Sequence, residues 1–333
     1  MLHTTLILLK KDDEILLGLK KRGFGKGRLN GVGGKQKEGE TLEECAIRET
    51  KEEISVKLTK LEHVADIVFD NLYYKGVPER NMMHVYFGLE WEGEPTESDE
   101  IEPHWTKIAD LDYSKMWCDD EHWYPYVLAG KKVQAWFHFN EDDTFDDFWV
   151  DVLPDGYFEE IDDSDVGLAD KKRDAEPDYV KRPTSRGILL DEKDRVALIH
   201  SINRGWYKLP GGGAEGEELR RETLLRELQE ETGYTVEVLE NLGTSRNIRH
   251  QWRLDSEAQF YLCRTKEFVG KQQMEDEIED GDTLEWFDSF DAAITALKSV
   301  KLEEIDFYGA YFFTRREIDA LERAKKVYKK NGR

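Results

Sequence analysis

Residues Gly31 to Val56 read GVGGKQKEGETLEECAIRETKEEISV. From Thr41 onward the composition is that of a helix. Yet Glu49, Glu52 and Glu53 stand at i, i+3 and i+4, where side chains share a face and like charges repel. Carboxylate oxygens gathered this way, with Glu40 in the preceding loop, suit Mg²⁺ or Mn²⁺, and such an ion would relieve the repulsion. The competing reading is a solvated helix face, the usual meaning of a glutamate-rich stretch. Gly33 and Gly34 permit a tight turn and close approach of backbone to a ligand, and the Gly33 carbonyl is a candidate for the metal shell.

Working outward, the pattern Gly34, Glu40, Arg48, Glu49, Glu52, Glu53 returns at Gly212, Glu218, Arg226, Glu227, Glu230, Glu231 with identical spacing, offset by 178 residues throughout. Two strand-like runs precede each copy: TTLILLK and EILLGLK before the first, RGILLDE and RVALIHS before the second. A solvated face needs none of this, so the repeat favours the metal reading and implies two similar domains in tandem. Residues 161–182 lack apolar periodicity and mix charge with Gly and Pro. The expected organisation is therefore domain one at 1–160, a linker at 161–182 and domain two at 183–333.

A chain of 333 residues is long enough for two domains with cores of their own. Its 48 basic and 72 acidic residues leave a formal charge of −24, which disfavours binding to nucleic acid polymers or anionic membranes. Residues 1–160 hold 19 basic and 35 acidic residues and so carry the larger share of that charge. Phosphate groups would need a cation between themselves and such a protein. Cys45, Cys118 and Cys263 are isolated, without metal-ligand spacing, which predicts a reducing, cytoplasmic setting. The apolar run LILL at Leu6–Leu9 is followed at once by charges and reads as a buried strand, not a signal peptide or membrane span.

In domain one the patterns predict a helix at Thr41–Ile54, strands near Val64–Phe69, Met83–Trp91 and Val133–Phe139, and a helix around Glu121–Ala129. In domain two they predict a helix at Leu219–Thr232 stopped by Gly233, a strand at AQFYLCR, and a terminal helix opened by a Thr314/Glu317 capping box. Strands mixed with few helices indicate an α+β sandwich in each domain. The chemistry implied is metal-assisted hydrolysis of a phosphoanhydride, with a spare glutamate accepting the proton of the attacking water. Arg48 and Arg226 are expected to anchor the glycine loops by pairing with Glu40 and Glu218.

Both copies resemble the Nudix box, the signature of the MutT-type hydrolases of nucleoside-diphosphate-linked compounds. The resemblance implies two α/β/α sandwich domains, each with a mixed sheet and a catalytic helix. It also implies Mg²⁺-dependent catalysis by Glu49, Glu52 and Glu53 and by Glu227, Glu230 and Glu231. The second copy matches throughout, with LPGGG ahead of it and Leu228, Gly233 and Tyr234 in place; the first departs at Thr50, usually aliphatic, and at Ser55, usually Gly.

Residues 2–152 further resemble the animal-type 8-oxo-dGTP diphosphatases, through KKRGFGKGRLNGVGGKQKEGET, ESDEIEPHW and MWCDDEHWYP. That resemblance implies base contacts by Asn30, Trp117, Asp119 and Asp120, a pocket also lined by Thr5, Leu6, Phe24 and Phe69, and Glu100 as a further metal ligand. Asn71 and Ile101 replace apolar residues of the family. On physical grounds, two adjacent sheltered aspartates share a proton and offer one donor and one acceptor, which suits the edge of an oxidised purine, while Trp117 supplies a stacking face. The bland readings are core packing for the aromatics, a turn for Asn30 and an N-cap with a first-turn acid for the aspartates.

Domain two lacks a counterpart of the Trp-x-Asp-Asp segment, so a different substrate is expected there. In RNIRHQWR, Arg246, Arg249, His250 and Arg253 either face a substrate's distal phosphates or form an exposed polar strand or loop. The acidic run Glu275–Asp282 is either a source of a further ligand or a solvated loop. Competing functional readings place the main activity in domain two, on a nucleotide sugar or dinucleotide, or make one domain a nucleotide-binding sensor. Protein partners are not legible.

Overall fold

The computed structural model describes residues 1–74, 77–168, 175, 178–272, 280–305 and 308–330. The chain forms two compact units, Met1–Leu153 and Pro154–Arg333.

In the first unit the continuous apolar run of β1 (Leu2–Lys11) is buried on both faces: Leu6 and Leu8 enter one core, Ile7 and Leu9 the other. β1 pairs antiparallel with β2 (Glu14–Lys20) and parallel with β5 (Val77–Glu92), which lies antiparallel to β4 (Lys57–Tyr74). The described sheet runs β3-β2-β1-β5-β4-β7-β8, with β3 at Leu29–Asn30, β7 at Lys132–Phe139 and β8 at Phe145–Leu153; β6 (Ile101–Lys107) pairs with β2. Helix α1 (Leu42–Ile54) covers one face through Ala46 and Ile54. Helix α2 (Asp120–Leu128) covers the other through Trp123, Tyr124 and Val127. This is an α/β/α sandwich around a mixed sheet.

The second unit repeats the plan. β10 (Val180–Leu190) lies parallel to β15 (Leu254–Phe268), which is antiparallel to β14 (Tyr234–Arg249). β11 (Val196–Ser201), β12 (Trp206–Lys208), β13 (Gly211–Gly213) and β16 (Asp282–Phe287) complete that side of the sheet. Helix α3 (Arg220–Thr232) buries Leu224 and Leu228 on one face. Helices α4 (Phe290–Ser299) and α5 (Tyr308–Lys330) cover the other with Leu297, Ala320 and Leu321.

Three expectations are corrected. The boundary falls at Leu153/Pro154, not at residue 160 or in a linker at 161–182. The cause is β9 (Tyr157–Ile161), which adds to the second sheet in parallel with β14, so Ile161, Asp162 and Asp163 are buried and not linker. Strands β4 and β5 extend well beyond their apolar segments, because antiparallel pairing continues through polar residues once register is set. Thr314 does not open the last helix: α5 already runs from Tyr308, and Thr314 and Glu317 are buried within it. Among the described residues no helix is long and apolar enough to cross a membrane. All three cysteines are free thiols.

Candidate active sites

The N-cap of α1 is Thr41, whose hydroxyl accepts from the Glu44 amide (3.1 Å), while Glu44 accepts from the Thr41 amide (2.8 Å). This capping box sets the phase of the helix and points Glu49, Glu52 and Glu53 towards the glycine turn. The turn is packed so closely that a Cβ at Gly33 would fall 2.0 Å from the Thr5 carbonyl oxygen, and one at Gly34 would fall 2.6 Å from the Glu49 carboxylate. The second unit reproduces both contacts: a Cβ at Gly211 would meet the Ser185 carbonyl at 2.2 Å, and one at Gly212 would meet Glu227 at 2.2 Å.

Arg48 answers much of the crowding. It forks onto Glu40 (Nε 3.0 Å, Nη2 2.6 Å), donates to Glu49 (2.5 Å) and Glu52 (3.3 Å), and reaches the Lys35 carbonyl (3.1 Å). Its guanidinium holds the Glu40 carboxyl down to about 2. Arg226 does the same for Glu218 (2.8 and 3.1 Å), Glu227 (3.1 Å), Glu230 (2.9 Å) and the Gly213 carbonyl (2.9 Å). The expected anchoring of each glycine loop by its arginine is therefore seen.

The third glutamate is held differently. Glu53 accepts from the Gly33 amide (2.9 Å) and from Lys20 (3.2 Å), and Lys20 also contacts Glu100 at 2.8 Å. Burial raises the Glu53 carboxyl, partly opposed by Lys20, while Lys20 pulls Glu100 down. In the second unit Glu231 accepts from the Gly211 amide (2.6 Å), and Lys208 bridges Glu231 (3.4 Å) and Asp282 (2.8 Å). Asp282 thus stands to Glu231 as Glu100 stands to Glu53. Neither lysine belongs to the repeated pattern: Lys20 lies in β2, and Lys208 ends β12 just ahead of LPGGG. Asp282 belongs to the acidic run but is buried at the start of β16, so it is not part of a solvated loop; residues 275–279 of that run lie outside the described residues.

Each site is therefore a set of hard oxygen donors in which an ammonium already sits between two carboxylates, a field that favours a cation. Glu49, Glu52, Glu53 and Glu100 fit a divalent ion in donor type, as do Glu227, Glu230, Glu231 and Asp282. Among the described residues the tightest metal-compatible trio is instead His63, Asp66 and His84. There both rings hydrogen-bond to the Asp66 carboxylate, at 2.8 and 2.7 Å, which accounts for their arrangement.

Beside the first set opens a pocket of about 210 Å³. Its walls include Thr5, Leu6, Phe24, Asn30, Phe69, Trp117, Asp119 and Asp120, together with Lys20, Gly33 and Glu53, which it shares with the cleft holding Glu49, Glu52 and Glu100. All the residues that the sequence placed in a base pocket are brought together, and Ile101 also lines it. Trp117 stacks on Phe24 (4.8 Å between centroids) and beneath the Arg28 guanidinium (4.0 Å).

Asp119 and Asp120 do occupy the N-cap and first turn of α2, but Asp119 makes no side-chain capping bond. Its carboxylate accepts instead from Trp123 Nε1 (3.0 Å), and that of Asp120 from the Trp117 amide (3.0 Å). Both are almost fully buried. Burial pushes Asp119 up to about 6; burial and then the charge of Asp119 push Asp120 well above the ordinary carboxylate range.

In the second unit RNIRHQWR divides: Asn247–Arg249 end β14 and are buried, while Gln251–Arg253 form an exposed turn. Arg246 pairs with Asp255 (2.9 Å to each oxygen), His250 with the Tyr179 hydroxyl (2.8 Å) and Arg253 with Asp178, while Arg249 is buried.

Two sandwich units, each setting a glycine turn against a glutamate helix, define a pyrophosphohydrolase. The NUDIX domain model matches residues 2–127 and 180–308, and the chain belongs to the Nudix family. The N-terminal region is similar to the oxidized purine nucleoside triphosphate hydrolase of Mus musculus, 41% identical over 140 residues that cover 42% of this chain and 88% of that protein. Its counterpart in Danio rerio is 38% identical over 151 residues, 45% of this chain and 95% of that protein. Among solved structures, the MutT protein from Bacillus halodurans superposes with a TM-score of 0.41 at 23% identity, covering 45% of this chain and 98% of that one.

Proposed function

We propose that the first unit hydrolyses oxidised purine nucleoside triphosphates such as 8-oxo-dGTP to the monophosphate and pyrophosphate, removing damaged nucleotides from the precursor pool. The observation that carries this reading is the buried Asp119/Asp120 pair in a pocket opening directly beside the box glutamates. One carboxyl of the pair retains a proton and donates while the other accepts, matching a purine edge whose donor and acceptor pattern oxidation has altered. Trp117 stacks on the base, and Asn30 lines the same wall. The Mus musculus and Danio rerio relatives are oxidized purine nucleoside triphosphate hydrolases, which supports the assignment.

Glu49, Glu52, Glu53 and Glu100, with the Gly33 carbonyl, would hold Mg²⁺ or Mn²⁺. Bound there, the ion would supply charge neutralisation for the phosphates and a lowered pKa for the attacking water. A box glutamate not engaged with it is the group that would take up the proton of the attacking water, and Arg48 keeps Glu40 and the glycine turn in place. The second unit is a further phosphoanhydride hydrolase built on Glu227, Glu230, Glu231 and Asp282, with a different substrate.

The test is pyrophosphate release from 8-oxo-dGTP and dGTP in Mg²⁺ by wild type, Glu52→Gln and Glu230→Gln. Turnover of 8-oxo-dGTP is expected to fall about a hundredfold or more in Glu52→Gln and to persist in Glu230→Gln. Loss confined to Glu230→Gln would refute the assignment to the first unit.

A further inference from the structure

The two units can be compared position by position. Gly33 and Gly211 abut the carbonyls of Thr5 and Ser185, so Leu6 corresponds to Arg186. The strand registers Leu6 with Val85 and Arg186 with Phe260 carry the correspondence across the sheet, where Phe69, opposite Asn81, matches Asn247, opposite Ser256. The wall that α2 supplies in the first unit is supplied by α5 in the second. Two pocket-lining apolar residues, Leu6 and Phe69, are thereby exchanged for Arg186 and Asn247, and α5 brings Arg316 and Glu317 where α2 brings Asp119 and Asp120.

Arg249, Arg316 and Arg186 gather around one ring, their guanidinium carbons 4.4, 4.6 and 5.9 Å from the centroid of Phe313. All three are more than nine-tenths buried. Glu317 pairs with Arg316 at 3.4 Å, and its other oxygen is already taken by the Leu209 amide (2.6 Å). Arg186 donates to the carbonyls of Leu209 and Gly211, which ties the cluster to the glycine turn beside Glu231.

Among the described residues the Nε atoms of all three arginines, Nη1 of Arg316 and both amide atoms of Asn247 lack hydrogen-bond partners. Burying cations and donors without partners is strongly unfavourable unless an anion completes the site. Burial and then the neighbouring arginines pull Arg249 far below its ordinary value, the same stress seen from another side.

We propose that Arg186, Arg249 and Arg316 form a receptor for a phosphate group of the second unit's substrate, in the place that the first unit gives to a purine. This rests on reading the second unit as a phosphoanhydride hydrolase. The substrate class that follows is a diphosphate-containing compound carrying a further phosphate beyond the scissile bond, with the guanidinium fork supplying the recognition.

The test is calorimetric melting of the full chain with inorganic phosphate, against chloride and acetate at matched ionic strength. Phosphate is expected to raise the second unit's transition by several degrees in wild type and not in Arg249→Met. Without phosphate, that variant is expected to melt no lower than wild type, because it sheds uncompensated buried charge. Arg249→Lys keeps a cation but not the fork, and its phosphate affinity is expected to fall at least about tenfold, which covers failure of the methionine variant to fold.

An equal phosphate response in wild type and both variants, no response in wild type, or variants that melt lower whether or not phosphate is present would overturn the proposal. An acetate response as large as that to phosphate would overturn the assignment to phosphate. The two readings fail separately: a phosphate response in wild type, with no turnover that Glu230→Gln removes, leaves the receptor standing and removes the hydrolase.

Discussion

Asp119 and Asp120 concentrate the chemistry of the first unit into two side chains whose ionisation burial opposes. A carboxyl raised to about 6 in the folded chain contributes stability that is full below its unfolded value of about 4 and is lost as pH rises through about 6. The first unit's melting temperature is therefore expected to fall between those limits, and Asp119→Asn should flatten the profile. Calorimetric melts across that range check this. The same substitution removes one partner of a buried hydrogen-bond pattern, so the kcat/KM preference for 8-oxo-dGTP over dGTP is expected to drop about 10- to 100-fold. A preference unchanged in Asp119→Asn would mean that the pair does not read the base.

At the scale of the element, the two catalytic helices end alike with unlike residues. Ser55 closes α1 in the left-handed region (φ 63°), and Gly233 closes α3 there (φ 80°). A side chain in that region costs about 1 kcal/mol, so Ser55→Gly is expected to stabilise the first unit by about that amount in denaturant unfolding. Gly233→Ser should destabilise the second by more, because its Cβ would also meet the Phe268 ring at 2.6 Å. The other departure from the family pattern, Thr50, is buried and returns its hydroxyl to the Ala46 carbonyl (2.7 Å), which explains how a polar residue is accommodated at an aliphatic position.

For the whole molecule, the division at Leu153/Pro154 predicts where the chain can be cut. A fragment 154–333 is expected to melt cooperatively and above a fragment 162–333. The shorter one loses β9, its pairing with β14 and the contact of Phe158 with Phe260 (5.6 Å), worth about 1 kcal/mol or more. Equal melting temperatures would show that β9 adds nothing to the second sheet. The repeat in the sequence announced two units because each catalytic helix must present the same carboxylates to the same glycine turn. The boundary was obscured because β9 is a single short run, YFEEI, too brief to show a period, and it joins the sheet through backbone bonds that no side-chain pattern records.

The sequence by itself determined the tandem repeat and both glutamate helices with their arginine partners, which follow from local spacing; the Nudix architecture and the residues that line the first pocket came through the resemblance of their segments to a known family. Only the tertiary structure decided what neutralises the third glutamate, that Asp282 stands in the second site as Glu100 does in the first, and that arginines from β10, β14 and α5 converge on Phe313. Those contacts join residues far apart in the chain, and the free energy that selects them is burial and charge pairing across the folded sheet, which periodicity along one segment cannot express.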